Sequence, residues 1–176
     1  EIVTALQTIA SRSVDPQESV VVSVTQIHGG NTWNVIPEDV VLRGTVRAFK
    51  PGIQDLAESS IRRIAEGVAA VHDMTVAIDY QRRYPPTIND HTEADFTASV
   101  MAGVVGEDNV FRNKNPKMAS EDFAYMLNEK PGAYVWLGNG PGEGGCLLHN
   151  PSYDFNDNAL TIGASYWSRL VEIRLG

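Results

Sequence analysis

An α/β fold built in two parts is what this sequence predicts, and three observations predict it. Up to residue 86 the apolar pattern reads helix, strand, strand, helix, strand. After "YPPTIND" helices and strands alternate, as they do in an α/β layer. Between the two textures stand Pro85 and Pro86, which stop a strand. The boundary therefore falls near residue 88, giving parts 1–88 and 89–176.

Each element follows from spacing. "EIVTALQTIASRS" sets Ile2, Val3, Leu6, Ile9 and Ala10 on one helical face. "SVVVSVTQIHGG" is β-branched and closes on a Gly pair, and "DVVLRGTVRAF" alternates imperfectly, so both read as strands. From Gly52 to His72, Ile53, Leu56, Ile61, Ile64 and Val68 recur at helical intervals, and "MTVAIDYQRRYPP" follows as a strand. In the second part Asp90 is placed to cap a helix over "HTEADFTASVMAGVVG". A short strand "NVFRN", a helix capped by Ser120, an apolar strand "AYVWLG" and a last helix over "ALTIGASYWSRLVEIR" complete the order.

Composition narrows the function classes. Fourteen Lys and Arg against 22 Asp and Glu give a net charge of −8, and no basic cluster is dense enough to grip a phosphate backbone, which argues against nucleic acid. No apolar run approaches the roughly 20 residues of a membrane span, and the expected partner is not a membrane. The single cysteine, Cys146, cannot form an internal disulfide and fits a reducing, cytoplasmic compartment. The chain begins at Glu1, inside an apolar helical pattern, and is expected to be a piece of something longer.

Several residues carry candidate chemistry. His149, in "CLLHNPSYDFND", follows an apolar strand and the Gly-rich "GNGPGEGG", a place where loops carry ligands on a rigid scaffold. From the residues alone it is either a metal ligand or an ordinary surface or packed histidine. Asp154 and Asp157 either orient an imidazole or cap the last helix, and capping by Asp157 is the simpler reading. Glu121 and Asp122 in "SEDFAYML" are explained by the dipole at a helix start. Asn34 and Arg47 flank a hairpin-like connection through Pro37; an amide and a guanidinium there suit a carboxylate, but a turn Asn and a solvated Arg fit the spacing more simply. His28, His72 and His91 sit at element ends and read as structural.

Together, "ALQTIASRSVDP", "VVSVTQIHGGNTWNVIPEDVVLRGTVRAF", "YPPTIND", "SEDFAYML", "PGAYVWLGNG" and "LHNPSYDFND", in that order, resemble the carboxy-terminal portion of the M20 metallopeptidases. The likeness is to the aminoacylase-like amidohydrolase branch, which includes hippurate and auxin-conjugate hydrolases. It implies that residues 1–88 are a ferredoxin-like lid and dimerisation domain of α+β type without its first strand. Residues 89–176 are then the last part of an α/β metallopeptidase catalytic domain.

The resemblance also implies roles. The family binds two divalent metal ions, and His149 matches its last metal ligand. Asn34 and Arg47 match lid residues that meet the substrate carboxylate and the reacting carbonyl, commonly across a homodimer. The family's Cys-x-His segment, Glu-Glu pair with the general base, remaining metal-binding His and lid His have no counterpart here, and no catalytic residue is assigned. What is implied is hydrolysis of the amide bond of an N-acyl amino acid, hippurate-like, by the whole enzyme, with this chain inactive alone. The alternative is a non-catalytic dimerisation or binding module derived from the same fold.

Overall fold

The computed structural model describes residues 1–140 and 146–176. The Gly-rich run quoted above extends into residues 141–145, which lie outside the described residues. The chain divides into two compact units, one of Glu1–Pro86 with Lys117–Glu121, the other of Thr87–Pro116 with Asp122–Gly176.

In the first unit α1 spans Ile2–Leu6 and the chain then widens into a π turn over Ile9–Ser13, where one continuous helix was expected. Hydroxyl side chains loosen the ladder there: Thr8 Oγ1 donates to the Ala5 carbonyl at 2.7 Å and Ser11 Oγ to the Gln7 carbonyl at 3.1 Å. The widening still delivers Ile9 into the core, where it is wholly buried with Leu6, Val14 and Ala57. Strands β1 (Val20–His28) and β2 (Val41–Ala48) form an antiparallel hairpin with Val22 opposite Val46. Val20, Val22 and Val24 alternate onto the core side, as strand geometry requires. A bulge at Thr25 shifts the register, so that Val24 faces Gly44 and Gln26 faces Arg43. A Cβ on Gly44 would lie 2.3 Å from the Ser23 carbonyl oxygen, so only glycine fits.

Helix α2 (Pro51–Val71) starts on a proline whose missing N–H is one the first turn would leave unpaired anyway. Its inner face is lined by small residues, Ala57, Ser60, Ala65 and Ala69, which let it lie close, while Ile53, Ile61 and Ile64 pack on the same core. The expected strand over 74–86 takes no place in a sheet; among the described residues the sheet has two strands. A strand exists only through a partner for its N–H and C=O groups, and among the described residues this segment joins no ladder, the Met74 N–H donating instead to the Ala69 carbonyl at the end of α2. Arg82 ties it to α2 instead, with Nε 2.8 Å from Glu58 Oε2.

In the second unit Asp90 caps α3 (His91–Val105) as expected, its Oδ1 accepting the Glu93 N–H at 3.0 Å. A 3-10 turn over Glu107–Asn109 follows, then α4 (Phe123–Glu129) and α5 (Asn158–Leu175). Helices α3 and α5 pack together, with Arg174 Nη2 2.6 Å from Glu93 Oε1 and its guanidinium 4.9 Å from the Phe96 ring centre.

Four further expectations do not hold. "NVFRN" and "AYVWLG" are not strands, for the reason that holds for 74–86: none of the described backbone offers them a ladder. Ser120 does not cap α4, because that helix starts at Phe123 with Asp122 at its N-cap and a capping side chain reaches only the first turn. Asp157 holds the N-cap position of α5 but in a helical conformation (φ −57°, ψ −24°), not the extended one from which a cap side chain folds back. Asn156 Oδ1 accepts the Asn158 N–H in its place, at 3.1 Å. Among the described residues no helix is long and apolar enough to cross a membrane.

Candidate functional site

His149 stands at the third position of a tight turn in which the Asn150 N–H donates to the Leu147 carbonyl at 3.1 Å. Its φ is 70°, a left-handed conformation uncommon for any residue with a side chain. The turn is built by Asn150, whose Oδ1 accepts the Ser152 N–H at 2.8 Å while its carbonyl accepts the Tyr153 N–H at 2.9 Å. The His149 side chain is exposed and has no hydrogen-bond or ion-pair partner among the described residues. An accessible imidazole with both nitrogens unengaged fits one ligand position of a metal centre. It does not make a centre: among the described residues no group of three or more His, Cys, Asp or Glu is placed to hold a metal ion.

Arg47 lies on β2 opposite Val21, one residue past Val46, so it projects from the sheet face away from the α2 core. The guanidinium is half-buried and donates from Nη1 to the Met118 carbonyl. Asn34 lies in the connection between the strands, exposed, its Oδ1 accepting from Thr32 Oγ1 at 3.0 Å. That connection is pinned at its base by Gly29, whose Cβ would lie 2.7 Å from Val40 Cγ2. Arg47 is six residues beyond Val41, where β2 begins, or roughly 20 Å at the rise of a strand. Asn34 and Arg47 thus occupy opposite ends of the hairpin and do not converge within one chain. They belong to the first unit, and His149 to the second.

The remaining candidates have local explanations. His72 sits at the C-cap of α2 with Nε2 2.7 Å from Glu1 Oε2, and the hydrogen bond, with the charge of the same ring, holds the Glu1 carboxyl below the usual range. His28 ends β1 and His91 starts α3. Cys146 is a half-buried free thiol. Glu58 is held below the usual carboxylate range by hydrogen bonds from Arg62 and Arg82.

The residues that sequence reasoning passed over are asparagines. Asn89 brackets the Tyr134 peptide, its Nδ2 donating to the Tyr134 carbonyl at 2.9 Å and its Oδ1 accepting the Tyr134 N–H at 2.8 Å. Asn139 and Asn156 are joined reciprocally, the Asn156 N–H donating to Asn139 Oδ1 and Asn156 Nδ2 donating to the Asn139 carbonyl. A side-chain amide presents the donor and acceptor of a peptide group, so both ends of the segment "AYVWLGN" are held without a strand partner. The available signal was slight: an Asn directly after the apolar run 133–138 and another just before the last helix, while Asn89 lies 45 positions from its partner.

The family described as "Peptidase family M20/M25/M40" matches residues 4–173. A hippurate hydrolase from Campylobacter jejuni is 38% identical over 169 residues, 96% of this chain and 43% of the relative. An N-acetylcysteine deacetylase from Bacillus subtilis is 33% identical over 176 residues, 99% of this chain and 44% of its own length. Among solved structures, a Bacillus subtilis protein described as a dinuclear metal-binding peptidase of the M20 family superposes with a TM-score of 0.73 at 30% identity, covering 99% of this chain and 44% of that one. The chain therefore spans less than half the length of these relatives, in a mixed α/β fold that matches theirs. With the family match running nearly from end to end, the chain belongs to the M20/M25/M40 peptidases.

Proposed function

We propose that this chain is part of a metal-dependent amidohydrolase that cleaves N-acyl amino acids of the hippurate type. The observation that carries the reading is His149, an exposed imidazole with no hydrogen-bond or ion-pair partner among the described residues, presented on a left-handed turn. Residues 1–88 serve as a ferredoxin-like lid through which two copies pair, and residues 89–176 as the last part of the catalytic domain. The antiparallel hairpin with α2 packed on one face supports the lid reading. His149 supplies one ligand to a pair of divalent metals, which lower the pKa of a water and polarise the carbonyl when bound. Arg47 binds the substrate carboxylate and Asn34 the reacting carbonyl. Because the two lie at opposite ends of the hairpin, they serve different sites of a homodimer. The location is cytoplasmic.

A non-catalytic binding module is the second reading, favoured by the absence of a three-donor cluster among the described residues. One experiment separates the two. In the intact enzyme, hippurate and N-acetyl amino acids should be hydrolysed and a chelator should abolish turnover. His149→Ala should lower bound metal and turnover together, while His28→Ala and His72→Ala leave the metal content unchanged. Full metal occupancy in the His149 variant would reject the assignment.

A further inference from the structure

We propose that Asn139 and Asn156 form an amide clamp that positions His149; the proposal rests on the metal-ligand reading of that histidine. The Asn156 N–H donates to Asn139 Oδ1 at 2.8 Å, and Asn156 Nδ2 donates back to the Asn139 carbonyl at 3.0 Å. Asn139 Nδ2 donates to the Asp154 carbonyl at 2.9 Å, and Asn156 Oδ1 accepts the Asn158 N–H at 3.1 Å. Four bonds thus fasten residues 154–156 to residue 139 on one side and to the first turn of α5 on the other.

The fit is close. Gly140 has a φ of 77°, and a Cβ there would lie 3.2 Å from Asn156 Nδ2, so the residue after Asn139 must be small for the second amide to reach. Both clamp residues are half-buried, unlike the exposed turn they anchor. From Asn156 the path to His149 runs through the Asn150 turn, whose two bonds to Ser152 and Tyr153 make 150–153 a single piece. The His149 side chain has no hydrogen-bond or ion-pair partner among the described residues, so its place is set by the backbone of that piece, which the clamp holds at its 154–156 end. Asparagine is required at 139 because the same group must donate to Asp154 and accept from Asn156. An aspartate there keeps the acceptor and turns an oxygen towards the Asp154 carbonyl. Both asparagines act through the His149 backbone and are positioning residues.

The test uses Zn²⁺ alone as the probe, on the intact enzyme stripped of metal. Zn²⁺ affinity is measured by equilibrium dialysis, amide hydrogen exchange is followed over residues 147–158, and the urea midpoint serves as a control. Asn139→Leu should weaken Zn²⁺ binding by about 10- to 100-fold, the range seen when groups that orient a ligand are removed, with faster exchange at Asn156. Asn139→Asp should fall between it and the parent and retain protection at the Asn156 N–H. Should Asn139→Leu not fold, Asn156→Asp removes the return bond alone and should also weaken Zn²⁺ binding. Parent-like affinity in the folded asparagine variants, with His149→Ala losing the metal, overturns the clamp and leaves the histidine's role standing. Retention of Zn²⁺ by His149→Ala overturns both.

Discussion

Arg47 and Met118, 71 positions apart in the sequence, are joined by a hydrogen bond from guanidinium to main-chain carbonyl. A neutral carbonyl engages only part of the guanidinium fork, whereas a carboxylate takes two parallel bonds. An N-acyl amino acid should therefore displace Met118 through its carboxylate. Arg47→Ala in the intact enzyme should raise KM for N-acyl amino acids at least tenfold, since a charge-assisted bond contributes about 1.5–3 kcal/mol. KM for the matching substrates with an amidated terminus should not change. An equal rise for both would place Arg47 away from the carboxylate.

Gly44→Ala should destabilise the hairpin unit by about 1–3 kcal/mol, because the added methyl meets the Ser23 carbonyl oxygen at 2.3 Å and only backbone movement relieves it. The urea midpoint reads the effect. A midpoint matching the parent would mean the bulge at Thr25 absorbs the clash.

Ile9 is wholly buried where the π turn meets β1 and α2. Ile9→Ala should cost about 2–5 kcal/mol, with Ile9→Val well below that. If the alanine variant loses under 1 kcal/mol by chemical denaturation, about half of the mildest core truncation of this kind, the site collapses around the void.

Glu58 carries the pH dependence of the contact between α2 and the segment 74–86. Hydrogen bonds from Arg62 and Arg82 hold its folded-state pKa below the unfolded value, so its contribution is present above about pH 4.3 and is lost as pH falls through the lower folded value. Protection of the segment from proteolytic cleavage within 78–84 should decline on acidification in the parent and be low at all pH values in Glu58→Gln. Added salt should act in the same direction, because the ion pairs face solvent. A parent whose protection in this segment ignores both pH and salt would show that burial of Tyr80, not the ion pairs, holds it.

What the sequence made legible was whatever repeats. Helices α2, α3 and α5 each carry an apolar stripe over four or more turns, and Asp90 lies three residues before its bonding partner, as a cap must. The segments 74–86, 109–113 and 133–138 have strand composition, but pairing is a property of two segments and cannot be read from one. Asp157 has the right residue type in the right place and fails on its backbone angles, which composition does not report. His149, Asn34 and Arg47 stood out only through resemblance; their own spacing suits a surface residue equally well. Asn139 and Asn156 were invisible because their partners are backbone atoms, and any residue supplies those.

All three tryptophans face outward: Trp33 is 96% exposed, Trp136 59% and Trp167 64%. Indole emission shifts to the red in a polar surrounding, so the folded chain should already emit as an unfolded one does. Fluorescence would then be nearly blind to denaturation, and circular dichroism is the better monitor. The same blindness has a use. Any surface that covers the hairpin connection, the "AYVWLG" segment or α5 must move one of these indoles out of water, and a blue shift on mixing becomes a label-free report of what this chain binds.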